Sequence, residues 1–130
     1  SRDLIIQCIE ELCKLYDLDN KNITLLGFSQ GSILSMAIAL SYPKKIRNVV
    51  ALSGYVNKEI LKEGYTRENH SATRFYVSHG ASDQVIPVEW ARQTPEFLKN
   101  LGIKYKYEEF PVGHTVSPQN FYSFRNWLIE

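Results

Sequence analysis

A serine, an aspartate and a histidine in this chain could together perform nucleophilic catalysis. Ser29 lies in the pentapeptide Gly27-Phe28-Ser29-Gln30-Gly31, Asp83 follows an apolar run, and His114 lies nearer the C-terminus. A neutral serine hydroxyl is a poor nucleophile, so it needs a base to take its proton. His114 would take that proton and return it to the leaving group, while Asp83 would fix the imidazole tautomer and stabilise its cation.

The residues around Ser29 predict a sharp turn between a strand and a helix. The apolar run 23–26 precedes the pentapeptide, and a long, mostly apolar stretch over 32–40 follows it. In such a turn the serine has a strained backbone, and the strand and the helix pass close together. We therefore expect Gly27 and Gly31 to be required as small residues.

Apolar runs and helical patterns alternate along the rest of the chain, which predicts an α/β fold. Strands are predicted over 23–28, 46–52, 74–78 and 103–110, and helices over 3–16, 32–40 and 87–101 and from Ser117 onwards. Pro95 should kink or split the third helix. Apolar strands joined by helical segments are typical of parallel sheets. We expect a mainly parallel, four-stranded sheet with helices on both faces.

This topology predicts where the three chemical side chains lie. Ser29 follows the first predicted strand, Asp83 the third and His114 the fourth. In a parallel α/β sheet, functional residues gather at the carboxyl ends of the strands. The three side chains are therefore expected at one edge of the sheet.

Four segments of the chain resemble, in the same order, segments of a known protein family. They are GFSQGS over 27–32, LSGY over 52–55, SHGASDQVIP over 78–87 and GHTVSPQNFYSFRNWL over 113–128. In this order they resemble the phospholipase/carboxylesterase family of α/β-hydrolases, which includes acyl-protein thioesterases, and the order serine, acid, histidine agrees. The resemblance implies Ser29 as nucleophile, Asp83 as acid, His114 as base and the backbone N–H of Gln30 as an oxyanion-hole donor.

The same resemblance implies that residues 1–130 form a single partial domain, the C-terminal part of an α/β-hydrolase. The family has further strands before the nucleophile strand, and a loop after one of them supplies a second oxyanion donor. The strand at 23–28 should then lack neighbours on one side, and the helices at 3–16 and after Ser29 should expose apolar faces. An unpaired strand without charges promotes association, so we expect self-association through this edge or a need for an N-terminal complement.

The function that the resemblance implies is hydrolysis of a small acyl ester or acyl thioester through an acyl-enzyme on Ser29, with no metal and no organic cofactor. Two alternatives stay open. The chain could be a catalytically incompetent fragment or binding domain, or the C-terminal domain of a serine peptidase on the same fold.

The charge and residue composition argue against some kinds of binding partner and against a membrane span. The formal net charge is +1, with 15 basic and 14 acidic residues spread evenly, so no charged footprint for nucleic acid or an anionic membrane is present. The charge-free stretch 22–42 contains too many polar residues and glycines for a membrane span. No basic leader with an apolar core opens the chain. Cys8 and Cys13 are predicted to be free thiols, which favours a reducing compartment and a cytoplasmic location.

Four further residues are predicted to be structural. His79 is interpreted as a residue at the end of a strand rather than a rival base, and His70 as solvated surface. Trp90 and Trp127 lie on apolar helical stripes and are predicted to belong to the core.

Overall fold

The computed structural model of the protein describes residues 23–130. Four parallel strands form one sheet in the order β1-β2-β3-β4, with bounds Ile23–Phe28, Ile46–Leu52, Arg74–Gly80 and Lys104–Phe110. The predicted parallel sheet is confirmed. The predicted helix over 3–16 lies outside the described residues.

Four helices connect and follow these strands: α1 Gln30–Ser41, α2 Val88–Ala91, α3 Thr94–Asn100 and α4 Pro118–Leu128. The predicted helix over 87–101 is split, as expected, and Pro95 lies in the first turn of α3. Proline is tolerated there because that N–H would have no intrahelical partner. The Ser117 hydroxyl accepts a hydrogen bond from the Asn120 N–H and so caps α4.

Apolar side chains cover both faces of the sheet. Along β2 and β3 they alternate between the faces, because successive residues of a strand point in opposite directions. On one face, α1 and α3 pack over Val49, Ala51, Phe75 and Val77. On the other, α4 contributes Phe124 and Trp127, which pack with Val50, Leu52 and Tyr76. The prediction of helices on both faces is confirmed.

The prediction for the two tryptophans is half right. Trp127 is buried in the core, whereas 48% of Trp90 is exposed. Because the helix breaks after Ala91, the continuous apolar stripe assumed from the spacing does not exist. The Trp90 ring instead packs edge-on against Tyr55, with centroids 5.1 Å apart.

The prediction that His70 is solvated is wrong. His70 is buried, and its Nε2 lies 2.8 Å from the Tyr65 carbonyl oxygen. The polar segment 57–72 forms short 3₁₀ turns at Lys58–Ile60 and Tyr65–Arg67, and its apolar residues fold back onto the core. The segment therefore covers the sheet rather than projecting into solvent.

β1 is an outer strand that pairs only with β2 among the described residues. Its Leu26 and Phe28 side chains are partly exposed. The expected exposure of the apolar face of α1 is wrong, because residues 35–41 of α1 are all buried. Residues 36–40 belong to one apolar core cluster with residues of the sheet and Leu61. None of the helices within residues 23–130 has the length and apolar character needed to cross a membrane.

Candidate active site

Ser29 occupies the turn between β1 and α1. Its φ of 59° and ψ of −118° lie in a region that non-glycine residues rarely adopt, which costs on the order of 1–3 kcal/mol. The Ser29 N–H donates to the Leu52 carbonyl at 2.8 Å, so β2 holds the turn at its start. The predicted strained turn is present.

Close packing in this turn requires one of the two flanking glycines. A Cβ on Gly27 would lie 2.3 Å from the carbonyl oxygen of Gly31, so no side chain fits there. No atom of the described residues lies within 4 Å of a Cβ built on Gly31, and the expectation for Gly31 is therefore wrong. The helix backbone at Gly31 approaches Gly27, but a side chain at 31 would point into open space.

His114 joins Ser29 to Asp83. Its Nε2 lies 2.9 Å from Ser29 Oγ, and its Nδ1 lies 2.7 Å from Asp83 Oδ2. A carboxylate only accepts hydrogen bonds, so Nδ1 carries the proton and Nε2 is left to accept from the serine hydroxyl. The Phe28 ring packs beside the imidazole, with centroids 4.9 Å apart. The structure thus brings the three predicted side chains into one hydrogen-bonded chain.

The Asp83 carboxylate has a partner on each oxygen. Oδ1 accepts the N–H groups of Val85 and Ile86, both at 2.8 Å, and Oδ2 accepts from His114. Burial raises the pKa of Asp83, but the hydrogen bonds from His114 and the two N–H groups outweigh it, so the pKa lies below its ordinary value of 3.8. Asp83 is therefore ionised at neutral pH and can stabilise an imidazolium.

Gly80 is a positioning residue that the sequence analysis did not name. A Cβ there would lie 2.0 Å from the Gly113 carbonyl oxygen and 2.4 Å from that of Val112. The Ser82 N–H also donates to Val112 at 3.0 Å. The bare backbone at Gly80 lets the loop that carries His114 approach the end of β3. A glycine between a predicted strand and the acid was the available signal.

Gln30 is the first residue of α1, where backbone N–H groups have no intrahelical acceptor. The N-terminus of a helix also carries partial positive charge, which favours an anion. The backbone N–H of Gln30 therefore suits the oxyanion role expected for it. No cluster of three or more His, Cys, Asp or Glu side chains suited to a metal ion occurs in the part of the chain that the structure describes.

Comparison with known proteins shows the family to which the chain belongs. A family model described as phospholipase/carboxylesterase matches residues 1–129. The chain belongs to the phospholipase/carboxylesterase family. It is 31% identical over 109 residues to a probable carboxylesterase of Oryza sativa subsp. japonica, and 31% identical over 125 residues to acyl-protein thioesterase 1 of Debaryomyces hansenii. These matches cover 83% and 94% of the chain but 41% and 53% of the relatives, so the chain spans about half their length.

Solved structures of esterases share the fold of this family member. The crystal structure of esterase PE8 superposes with a TM-score of 0.81 at 24% identity, covering 93% of this chain and 55% of that one. The Bacillus cereus carboxylesterase gives a TM-score of 0.86 at 16% identity, covering 97% and 57%. The parallel sheet with its flanking helices is thus part of an α/β-hydrolase fold.

This phospholipase/carboxylesterase family member also has a cleft of about 450 Å³. Tyr55, Trp90 and Phe97 contribute aromatic walls. The buried Thr94 also lines the cleft, and its Oγ1 has no hydrogen-bond partner in the described part of the chain. Ser29, Asp83 and His114 do not line it. The exposed face of Trp90 belongs to this cleft.

Proposed function

We propose that the protein is a serine hydrolase that cleaves carboxylic esters or thioesters through an acyl-enzyme on Ser29. The observation that carries the proposal is the hydrogen-bonded chain Ser29 Oγ, His114, Asp83, with distances of 2.9 and 2.7 Å. Membership of a family with carboxylesterase and acyl-protein thioesterase relatives supports the choice of ester and thioester bonds.

In the acylation step, Ser29 Oγ attacks the carbonyl carbon while its proton passes to His114 Nε2. The tetrahedral intermediate collapses by breaking the bond to the alcohol or thiol, which takes the proton from His114 and leaves. Asp83 holds the imidazole with Nδ1 protonated and stabilises its transient positive charge. The product of this step is an ester on Ser29.

Deacylation repeats the chemistry with water as the nucleophile. His114 takes a proton from the water, whose oxygen attacks the acyl carbon, and then returns the proton to Ser29 Oγ as the carboxylic acid departs. Both steps balance with these groups alone, so the mechanism uses neither a metal nor an organic cofactor. The negative oxygen of each intermediate is stabilised by the Gln30 N–H, and a second donor comes from the loop that the family has upstream of its nucleophile strand.

Residues 1–130 form a single partial α/β-hydrolase domain that works with its N-terminal complement. Two observations support this: within residues 23–130, β1 pairs only with β2, and the chain spans about half the length of its relatives. Without that complement the chain associates with itself through β1. We further propose a reducing, cytoplasmic location, because the sequence predicts that Cys8 and Cys13 are free thiols.

The test uses the intact protein, including the sequence upstream of residue 1, and the isolated 130-residue chain. We expect the intact protein to hydrolyse an aryl ester and an acyl thioester, and an organophosphonate ester to label Ser29, as located by mass spectrometry. The isolated chain should be a poor catalyst, because loss of one oxyanion donor costs about 10²- to 10³-fold in rate. Labelling of Ser53 or Ser82 with Ser29 unmodified would contradict the assignment. A monomeric isolated chain with the activity of the intact protein would contradict the proposed incompleteness.

A further inference from the structure

A second histidine lies against the acid of the hydrogen-bonded chain. His79, the residue before the last of β3, has a fully buried side chain. Its Nε2 lies 2.8 Å from the Ile86 carbonyl oxygen and 3.3 Å from Asp83 Oδ2. Nothing in the mechanism above uses this side chain.

The contacts of His79 determine its tautomer. A carbonyl oxygen only accepts hydrogen bonds, so the proton is on Nε2. Nδ1 is buried and has no hydrogen-bond partner among residues 23–130, where a proton on it would be an unpaired buried donor. Glu109 is the residue paired with His79 on β4, but its carboxylate binds Arg92 and Tyr107 instead. His79 therefore presents one N–H, directed at the Asp83 loop.

The His79 Nε2–H lies near two residues of the short loop after β3, Asp83 and Ile86. Asp83 Oδ1 already accepts the N–H groups of Val85 and Ile86. His79 holds the carbonyl of the same Ile86 and lies beside the remaining oxygen, Oδ2, which also accepts from His114. Rotation of the carboxylate away from His114 would break contacts on both oxygens.

From this geometry we infer that His79 is a positioning residue for the reaction: its Nε2–H fixes the Asp83 loop so that Oδ2 stays directed at His114 Nδ1. The inference rests on the proposed function of Ser29, Asp83 and His114. His79 does not touch the reacting atoms, and it acts only through Asp83. It should therefore affect kcat, which depends on the alignment of His114, and leave KM nearly unchanged.

The experiment compares two variants of the intact protein. In His79→Gln the side-chain amide keeps an N–H donor near the position of Nε2, whereas His79→Met has similar length and no donor. Active sites are counted by titration with an organophosphonate ester, so that kcat refers to folded, reactive protein only. The His114 Nδ1 proton, which resonates far downfield in a strong hydrogen bond to a carboxylate, is followed by NMR as a direct readout of the His114–Asp83 contact.

We expect His79→Met to lower kcat per titrated site by about 10²-fold, the cost of a small misplacement of a catalytic group, and to weaken or broaden the downfield resonance. His79→Gln should keep kcat close to that of the wild type and retain the resonance. A merely structural role would lower the melting temperature and the number of titrated sites without moving kcat per site.

Three results separate the possible failures. A His79→Met protein with unchanged kcat per site would overturn the inference while leaving the proposed function intact. If the methionine variant does not fold, a folded His79→Gln protein with kcat lowered about 10²-fold would also overturn it. A wild-type protein that hydrolyses no ester or thioester, and whose Ser29 is not labelled, would overturn the proposed function itself.

Discussion

Among the described residues, β1 and β4 are the two outer strands of the sheet, and they differ in the charge and exposure of their side chains. β1, with the sequence ITLLGF, has no charged residue, and Leu26 and Phe28 are 56% and 41% exposed. β4, with the sequence KYKYEEF, has four charged residues among its seven. Natural proteins use charges, lysine above all, to prevent an edge strand from pairing with another chain. Within residues 23–130, β4 has the charges that are typical of an edge strand, and β1 lacks them.

Two of the charged residues of β4 form hydrogen bonds with neighbouring elements. The Glu109 carboxylate accepts two hydrogen bonds from Arg92, both at 2.9 Å, and Glu108 accepts from Tyr76 and Ser123. Asp83 and His114 follow β3 and β4, on this protected side of the sheet, whereas Ser29 follows β1. The Asp83 carboxylate is held by Val85, Ile86 and His114, whereas the nucleophile follows a strand that pairs on one side only among the described residues.

The largest expected effect tests whether Ser29 and the acid–base pair act as one catalytic unit. In the intact protein, Ser29→Ala and His114→Ala should each lower kcat on an aryl ester by about 10⁶-fold, and the double variant should be no worse than either. Members of one catalytic unit are non-additive because each is useless without the other. Steady-state kinetics on all three proteins measures this, and additive losses would mean that Ser29 and His114 act independently.

Asp83→Asn should have the next largest effect, lowering kcat by about 10⁴-fold. The amide can donate to Nδ1, which would place the histidine proton on the wrong nitrogen. The matched control is Glu109→Gln, which removes a carboxylate from the same side of the sheet. Our assignment of the acid would be wrong if Asp83→Asn left kcat unchanged and another carboxylate substitution abolished it.

Glycine variants separate the packing requirements on the two sides. Gly80→Ala should displace the loop that carries His114 and lower kcat by about 10²-fold, because its Cβ would lie 2.0 Å from the Gly113 carbonyl oxygen. Gly31→Ala is the control on the β1 side, where the Cβ would meet open space. We expect it to keep wild-type kcat. Equal losses in the two variants would show that the available space at residues 31 and 80 does not decide their tolerance.

Lowering the pH should reduce the free energy of unfolding, because Asp83 becomes protonated. Its folded-state pKa is depressed below 3.8, so its contribution to stability is present above that value and is lost as the pH falls through the folded pKa. Chemical denaturation of the intact protein from pH 6 downward should show a smaller acid-induced loss of stability in Asp83→Asn than in the wild type. Identical pH profiles for the two proteins would contradict this linkage.

The smallest expected effect is on self-association, and it compares the outer strands β1 and β4 directly. In the isolated chain, Leu26→Lys should reduce self-association, because a lysine on β1 provides the protection that β4 already has. The matched control is Tyr105→Lys, which adds a lysine at an exposed apolar position of β4. Sedimentation velocity should show a shift toward monomer for Leu26→Lys only. An equal shift for both variants, or none for Leu26→Lys, would remove β1 as the associating surface.

Local sequence patterns were sufficient for the strands, the turn at Ser29 and the order of the three chemical side chains. Strand and helix periodicity depends on near neighbours, and proline at 95 splits a helix wherever it packs. The parallel connections then place Ser29, Asp83 and His114 at one edge of the sheet whatever the details of the core. These features could be predicted because each depends on residues close together in the chain.

Contacts between distant segments were decided only by the tertiary structure. His70 is buried because segment 57–72 folds back on the core, and Trp90 is exposed because the helix ends one residue after it. The need for a glycine at 80 comes from the Gly113 carbonyl on another strand's loop, and the freedom at Gly31 comes from the direction of its Cβ. The contact between His79 and Asp83 likewise depends on how the loop after β3 closes. Local sequence patterns do not specify the partners in these contacts, so composition and periodicity could not predict them.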